Sequence, residues 1–215
     1  KTFLSQEFTL EIQRKRSGKE MIKFLDLTAQ YQTIKKEIDQ KIQSVIESSA
    51  FIGGKYVTQF EANFANYVGA NYCVGVGNGT DALEIAIEAL ALPLGSEIIV
   101  PANSFIASSE AVSRTGHKVV FADVDPESYV LAIGNVKSLI TSKTRAIIAV
   151  HLYGHPCDMD ELAQLASEHD IYIIEDCAQA HGSEYKGQRI GGIGHIACFS
   201  FYPGKNLGAY GDGGA

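Results

Sequence analysis

Three runs constrain this chain most: Ile98-Ile99-Val100, Ala146-Ile147-Ile148-Ala149-Val150 and Ile171-Tyr172-Ile173-Ile174. None alternates apolar with polar residues, so a strand built from them has no face for water. Strands buried on both faces belong to a mainly parallel sheet with helices above and below. The rest of the chain supplies the cover. Short strands are predicted at 72–76, 97–100, 118–122, 145–150, 171–175 and 196–201. Helical periodicity falls at 80–92, 105–114 and 159–168. Two more amphipathic helices precede them. Tyr31, Ile34, Ile38, Ile42, Val45 and Ile46 lie on one face of the first; Val57, Phe60, Phe64 and Tyr67 mark the second, with Gly69 as its stop. The fold class is α/β, a three-layer arrangement with a mainly parallel sheet flanked by helices.

Charge and length narrow the function. With 18 Lys+Arg against 25 Asp+Glu the formal charge is −7, which argues against a broad nucleic-acid surface. No window approaches the ~20 apolar residues of a membrane span. The 215 residues suffice for one domain with a sizeable core. Residues 1–20 carry the basic run Arg14, Lys15, Arg16 and Lys19 and read as an N-terminal extension ahead of a native start at Met21. Residues 21–215 then form the functional domain. No secretory signal is read at the N-terminus, so a cytoplasmic location is expected. Cys73, Cys157, Cys177 and Cys198 make no C-x-x-C and are expected as reduced thiols. His151 and His155 are four apart, but Gly154 and Pro156 break any helix that would align them, so no metal site is expected. The Gly211-Asp212-Gly213-Gly214-Ala215 end reads as a cut within a longer protein.

Ligands of open parallel sheets bind beyond the carboxyl ends of the strands. Gly77-Asn78-Gly79-Thr80 opens a helix there. Glycines admit close backbone approach, and free amides at a helix start attract a phosphate; a plain strand-to-helix turn capped by Thr80 reads equally well. Asp176 ends an apolar strand, where an unpaired carboxylate is costly and a cationic partner is expected. Gln179 could face the same ligand; the other readings are a cap of the following turn for Asp176 and an ordinary solvated loop residue for Gln179. Lys205 follows Gly204 in a turn among Phe199, Phe201 and Leu207. Desolvation there can yield a nucleophilic amine able to form a Schiff base; a surface charge in a loop is the other reading, and only the combination with the other groups favours the first. A phosphate site, an aspartate and a lysine are the three anchors of pyridoxal phosphate.

The ordered set Phe24-Leu25-Asp26-Leu27, Phe51-Ile52-Gly53-Gly54, Gly77-Asn78-Gly79-Thr80-Asp81-Ala82-Leu83, His151-Leu152-Tyr153-Gly154, Glu175-Asp176-Cys177-Ala178-Gln179-Ala180-His181-Gly182 and Phe199 to Gly208 resembles the DegT/DnrJ/StrS nucleotide-sugar aminotransferases. These are pyridoxal-phosphate enzymes of the aspartate-aminotransferase (type I) fold. The resemblance implies that Lys205 bonds to the cofactor aldehyde and moves protons, and that Asp176 faces the ring nitrogen. It implies Gln179 near the ring hydroxyl, Ser200, Gly79 and Thr80 around the phosphate, and Phe105 stacked on the ring. A core phenylalanine heading a helix is the other reading of Phe105.

The implied reaction takes an amino group from an amino-acid donor, usually L-glutamate, and passes it to a keto group of a nucleotide-linked deoxysugar. Lys205, where a dehydratase branch carries histidine, favours transamination. The motifs lean toward a dTDP-3-keto-6-deoxyhexose as acceptor, with a 4-keto or UDP-sugar enzyme, or a non-catalytic sensor or binding relative, as alternatives. A homodimer with shared active sites is implied, and the helix with Tyr31, Ile34 and Ile38 is one candidate for its contact. By the same resemblance the chain covers little more than half of a typical member, so its large domain is expected to be incomplete at the C-terminus.

Overall fold

The computed structural model describes residues 22–215; the extension expected at 1–20 lies outside them. The chain divides into two compact units, Lys1–Ser44 and Val45–Ala215. The described part of the first is mainly helix α1 (Leu27–Glu47), whose last three residues belong to the second unit. Asp26 Oδ1 accepts the Ala29 amide at 3.0 Å and starts it. One turn further on, Tyr31, Lys35 and Asp39 form an i, i+4 chain of hydrogen bonds along its surface.

The second unit opens with α2 (Gly54–Val68), closed by Gly69 at φ 86°, whose amide reaches the Ala65 carbonyl. This is the glycine stop that the sequence announces. Helix α3 (Gly79–Ala89) ends before the predicted residue 92. Ala91 turns to φ 47°, and Pro93 bars Leu92 from helical geometry. Then come β1 (Glu97–Pro101), α4 (Ile106–Arg114), β2 (Lys118–Ala122), α5 (Ile133–Leu139) and β3 (Thr144–Val150). Helix α6 (Met159–His169), capped by Asp158, leads to β4 (Tyr172–Asp176). A two-residue hairpin, β5 (Glu184–Tyr185) and β6 (Gln188–Arg189), precedes β7 (Ile196–Cys198). Helix α5 and the hairpin were not legible. The first has too few apolar positions to show a period, and the second is too short to alternate.

The five-stranded sheet has the order β2-β1-β3-β4-β7, and every neighbouring pair is parallel. Side chains alternate between its faces. Ile99, Ile147 and Ile173 pack with Phe64, Val68, Leu162 and Leu165 on the α2/α6 side. Ile98, Ile148, Ile174 and Cys198 pack with Leu83, Ile87, Ala111 and Val112 on the α3/α4 side. Most of these strand isoleucines are wholly buried, each contributing about 1.5–3 kcal/mol.

Two predicted strands differ. At 72–76 there is no ladder: Val76 alone bridges Gly214, N–H to O at 2.9 Å and back at 3.0 Å, while Tyr72 and Val74 are exposed. Apolar content made the segment strand-like, but among the described residues nothing else lies alongside to pair with it. At 196–201 the parallel ladder stops at Cys198. Phe199 and Phe201 turn instead to an antiparallel exchange with Ala215 and Gly213.

Candidate functional site

The alternation of β4 sorts its two acids. Asp176 continues the face of Ile174, toward α3 and α4, and is 6 % exposed. Ser108 of α4 donates its hydroxyl to Asp176 Oδ2 at 3.0 Å, and the Ala178 amide donates to Oδ1 at 3.1 Å. No cation among the described residues forms an ion pair with it. Burial raises its pKa, with these hydrogen bonds and the positive charge of Lys205 pulling the other way. Asp176 is thus a buried acid, and the cationic partner that the sequence leads us to expect forms no ion pair with it among the described residues.

Ser200 shares that face by register. Asp176 pairs with Cys198, which packs on the α3/α4 side, and Ser200 lies two residues on. It meets the start of α3, where a methyl group added at Gly79 would stand 2.7 Å from Ser200 Cβ. The helix cap is Asn78, not Thr80: extended at φ −165°, it accepts the Asp81 amide at 2.9 Å. Gly79 and Thr80 are therefore the first two helical residues, whose amides have no acceptor within the helix. The glycine, the serine and these amides lie together and are the groups that could hold an anion.

Lys205 sits half-buried in a turn closed by its amide on the Tyr202 carbonyl at 2.8 Å. Its charge acts on both Asp176 and His181. Gln179 Oε1 accepts the Tyr153 amide at 2.8 Å, which leaves its NH2 group free to donate. Phe105 stands outside the core, 73 % exposed at the head of α4, so the core reading of this ring is corrected. Phe105, Gln179 and Lys205 all lie beyond carboxyl ends of strands, and their contacts with one another are not fixed by any direct bond.

Sequence reasoning missed Glu175. It points to the opposite face and is wholly buried. It accepts the amides of Gly191, Ile193 and Gly194 at 2.6–2.9 Å, and its Oε2 is 3.1 Å from His151 Nε2. The Cys157 amide donates to His151 Nδ1, so Nε2 carries the proton given to Glu175. Burial pushes the Glu175 pKa up, but the His151 and amide hydrogen bonds win and hold it below 4.5. Its signal was an acid inside an apolar strand. His151, Glu175 and Cys177 gather a nitrogen, an oxygen and a sulfur within 4.8 Å of one another. Both ring nitrogens are engaged, however, and burial keeps the Cys177 thiol protonated, so the cluster reads as a hydrogen-bonded core. The four cysteines are free, three of them buried.

His181 is 8 % exposed, its ring 5.5 Å from those of Phe199 and Phe201. The nearby Ser200 carbonyl favours its charged form but meets neither ring nitrogen in bonding geometry. Burial holds its pKa below 6.5. The unfolded chain therefore takes up a proton that the folded chain refuses. His181 supports stability above pH 6.5, and this support is lost as pH falls below that value. Chemical denaturation is expected to show stability declining from pH 6.5 to 5.5, with a shallower slope in His181→Phe. His117 shifts in the same direction, so the slope does not vanish.

A protein-family model, described as the DegT/DnrJ/EryC1/StrS aminotransferase family, matches residues 32–215. The chain belongs to this family. Over 194 residues it is 47 % identical to dTDP-3-amino-3,4,6-trideoxy-alpha-D-glucose transaminase of Streptomyces venezuelae, covering 90 % of this chain and 51 % of that protein. It is 45 % identical to UDP-2-acetamido-2-deoxy-3-oxo-D-glucuronate aminotransferase of Pseudomonas aeruginosa, covering 91 % and 54 %. Among solved structures, that of S. venezuelae DesV in complex with a ketimine intermediate superposes with a TM-score of 0.89 at 46 % identity, covering 91 % of this chain and 53 % of that one. The chain spans about half the length of the curated relatives it matches. Among the described residues no helix is long and apolar enough to cross a membrane.

Family membership implies pyridoxal 5′-phosphate. The DegT/DnrJ/EryC1/StrS chain offers groups that fit it: a buried carboxylate with no ion pair among the described residues, and a helix start where a Cβ at Gly79 would fill the space beside Ser200. Gly79→Ala, which must push Ser200 aside, is expected to weaken cofactor binding roughly tenfold, about the effect of losing one charge-assisted hydrogen bond. Equilibrium dialysis against pyridoxal phosphate measures it.

Proposed function

We propose that the full-length protein is a pyridoxal-phosphate aminotransferase that moves an amino group from an amino acid, with L-glutamate as donor, to a keto group of a nucleotide-linked deoxysugar. The acceptor we favour is a dTDP-3-keto-6-deoxyhexose. The observation that carries the reading is Asp176: a buried carboxylate with no ion pair among the described residues, sharing its sheet face with the Ser200–Gly79 cradle. A cationic ring nitrogen on one side and a phosphate on the other would satisfy both.

When bound, the cofactor supplies an aldehyde that captures amines and a ring that accepts electrons. The residues of this chain supply the rest. Asp176 would hold a proton on the ring nitrogen by charge. Gly79, Thr80 and Ser200 would hold the phosphate, Gln179 would offer its NH2 group to the ring hydroxyl, and Phe105 would cover one ring face. Lys205 would hold the cofactor through its amine, and its Nζ would carry the proton as base and acid in both half-reactions. A homodimer completes the site.

The dTDP-sugar relative supports the nucleotide and ring position chosen; the UDP-sugar relative sets the competing acceptor. The test is to run the two half-reactions separately on the full-length protein. L-glutamate is expected to bleach the yellow colour, and a dTDP-3-keto-6-deoxyhexose to restore it faster than a UDP-3-keto sugar does. Colour that glutamate leaves unchanged would mark a binding relative rather than an enzyme.

A further inference from the structure

Tyr153 occupies the left-handed region at φ 57°, ψ 17°. That conformation costs an L-residue free energy which glycine escapes. The turn beneath it is locked. His151 is wholly buried with both ring nitrogens bonded, Leu152 is buried, and the Gly154 carbonyl accepts the Ser183 hydroxyl at 2.8 Å. Only the backbone of Tyr153 takes part in this, through its amide on Gln179 Oε1.

The ring stands largely clear of the described residues. It is 77 % exposed, and among the described residues it makes no hydrogen bond, aromatic pair or cation contact. A glycine at 153 would make the same turn without strain, as Gly154 does at φ 81°. Strain held at a locked turn for the sake of an idle ring points to a role outside folding. Its place narrows the role. Tyr153 follows β3, the central strand, and the loops after β1 and β7 likewise expose aromatics, Phe105 at 73 % and Tyr202 at 60 %.

We propose that the Tyr153 ring is a specificity-determining contact for the acceptor, stacking on the C–H face of the sugar ring of the nucleotide sugar. This rests on the aminotransferase function proposed above. An uncharged amphipathic ring suits a polyhydroxylated ring with apolar C–H edges; an open-chain amino-acid donor presents no such face to stack on. Tyr153 meets the cofactor residue Gln179 through its amide alone, so its ring is left for a ligand lying beyond the cofactor.

The test compares Tyr153→Gly and Tyr153→Phe in the full-length protein. Glycine keeps the amide on Gln179 and removes both strain and ring. It is expected to weaken binding of dTDP-glucose to the cofactor-free protein by about tenfold to hundredfold, the range seen when one stacked aromatic is lost. Calorimetry reads this. The acceptor KM should rise by a similar factor and the donor KM by far less, with the thermal midpoint not lowered. Tyr153→Phe should retain most of the binding. Unchanged dTDP-glucose binding in Tyr153→Gly overturns the proposal, as does an equal loss for donor and acceptor or a fall in thermal midpoint. Should the parent protein bind none of dTDP-, UDP- or GDP-glucose, the acceptor class itself is wrong and the Tyr153 contact falls with it.

Discussion

Replacing Lys205 with alanine is expected to lower transamination by about 10³- to 10⁴-fold while the protein stays folded. The size follows from the proposed double role of one amine, as the group that bonds the cofactor and as the proton carrier of both half-reactions. Retention of the fold follows from the surroundings. Lys205 is half-buried, and among the described residues its Nζ makes no hydrogen bond or ion pair. The turn is closed by the backbone of Lys205, which alanine keeps. Lys205→Arg should fail almost as badly, because guanidinium cannot give up its proton. A small primary amine added to Lys205→Ala should restore part of the rate. Near-parental turnover in Lys205→Ala would remove the residue from the chemistry.

Asp176→Asn is expected to lower turnover by about 10²- to 10⁴-fold, with a stability effect of the opposite sign. In the cofactor-free protein Asp176 is a buried carboxylate whose pKa burial raises, so ionisation there opposes folding at neutral pH. Asparagine removes that charge. Its oxygen can still accept the Ala178 amide, and its NH2 group can donate to the Ser108 hydroxyl. The cofactor-free variant should unfold at the same or a higher temperature than the parent. A residue needed only for packing would lose both stability and rate; one opposing a ring nitrogen loses rate alone. Chemical denaturation beside steady-state turnover separates the two.

The sheet was legible because its strands are apolar on both faces. Residues 118–122 were read to the residue, and β3 and β4 to within one. The order β2-β1-β3-β4-β7 was not legible, nor was the register that sets Asp176 against Cys198 and so puts Ser200 on the same face. Pairing between strands leaves no mark in either strand alone. Asn78 was passed over as a cap because Thr80 is equally capable by type, and only the extended backbone at 78 decides between them. Glu175 was overlooked beside Asp176 because a sequence cannot say that two adjacent acids face opposite sides until the strand is known to continue through both. Tyr153 was quoted in a motif and given no part, since strain is a property of φ and ψ.

The most direct measurement is to reduce the full-length protein, loaded with pyridoxal phosphate, with borohydride, digest it and locate the added pyridoxyl mass. The expected result is a single modified peptide bearing the group on Lys205, absent from Lys205→Ala. A pyridoxyl group on another lysine such as Lys186, or none at all after the yellow colour has formed, would contradict the placement of the cofactor between Lys205, Asp176 and the Ser200–Gly79 cradle.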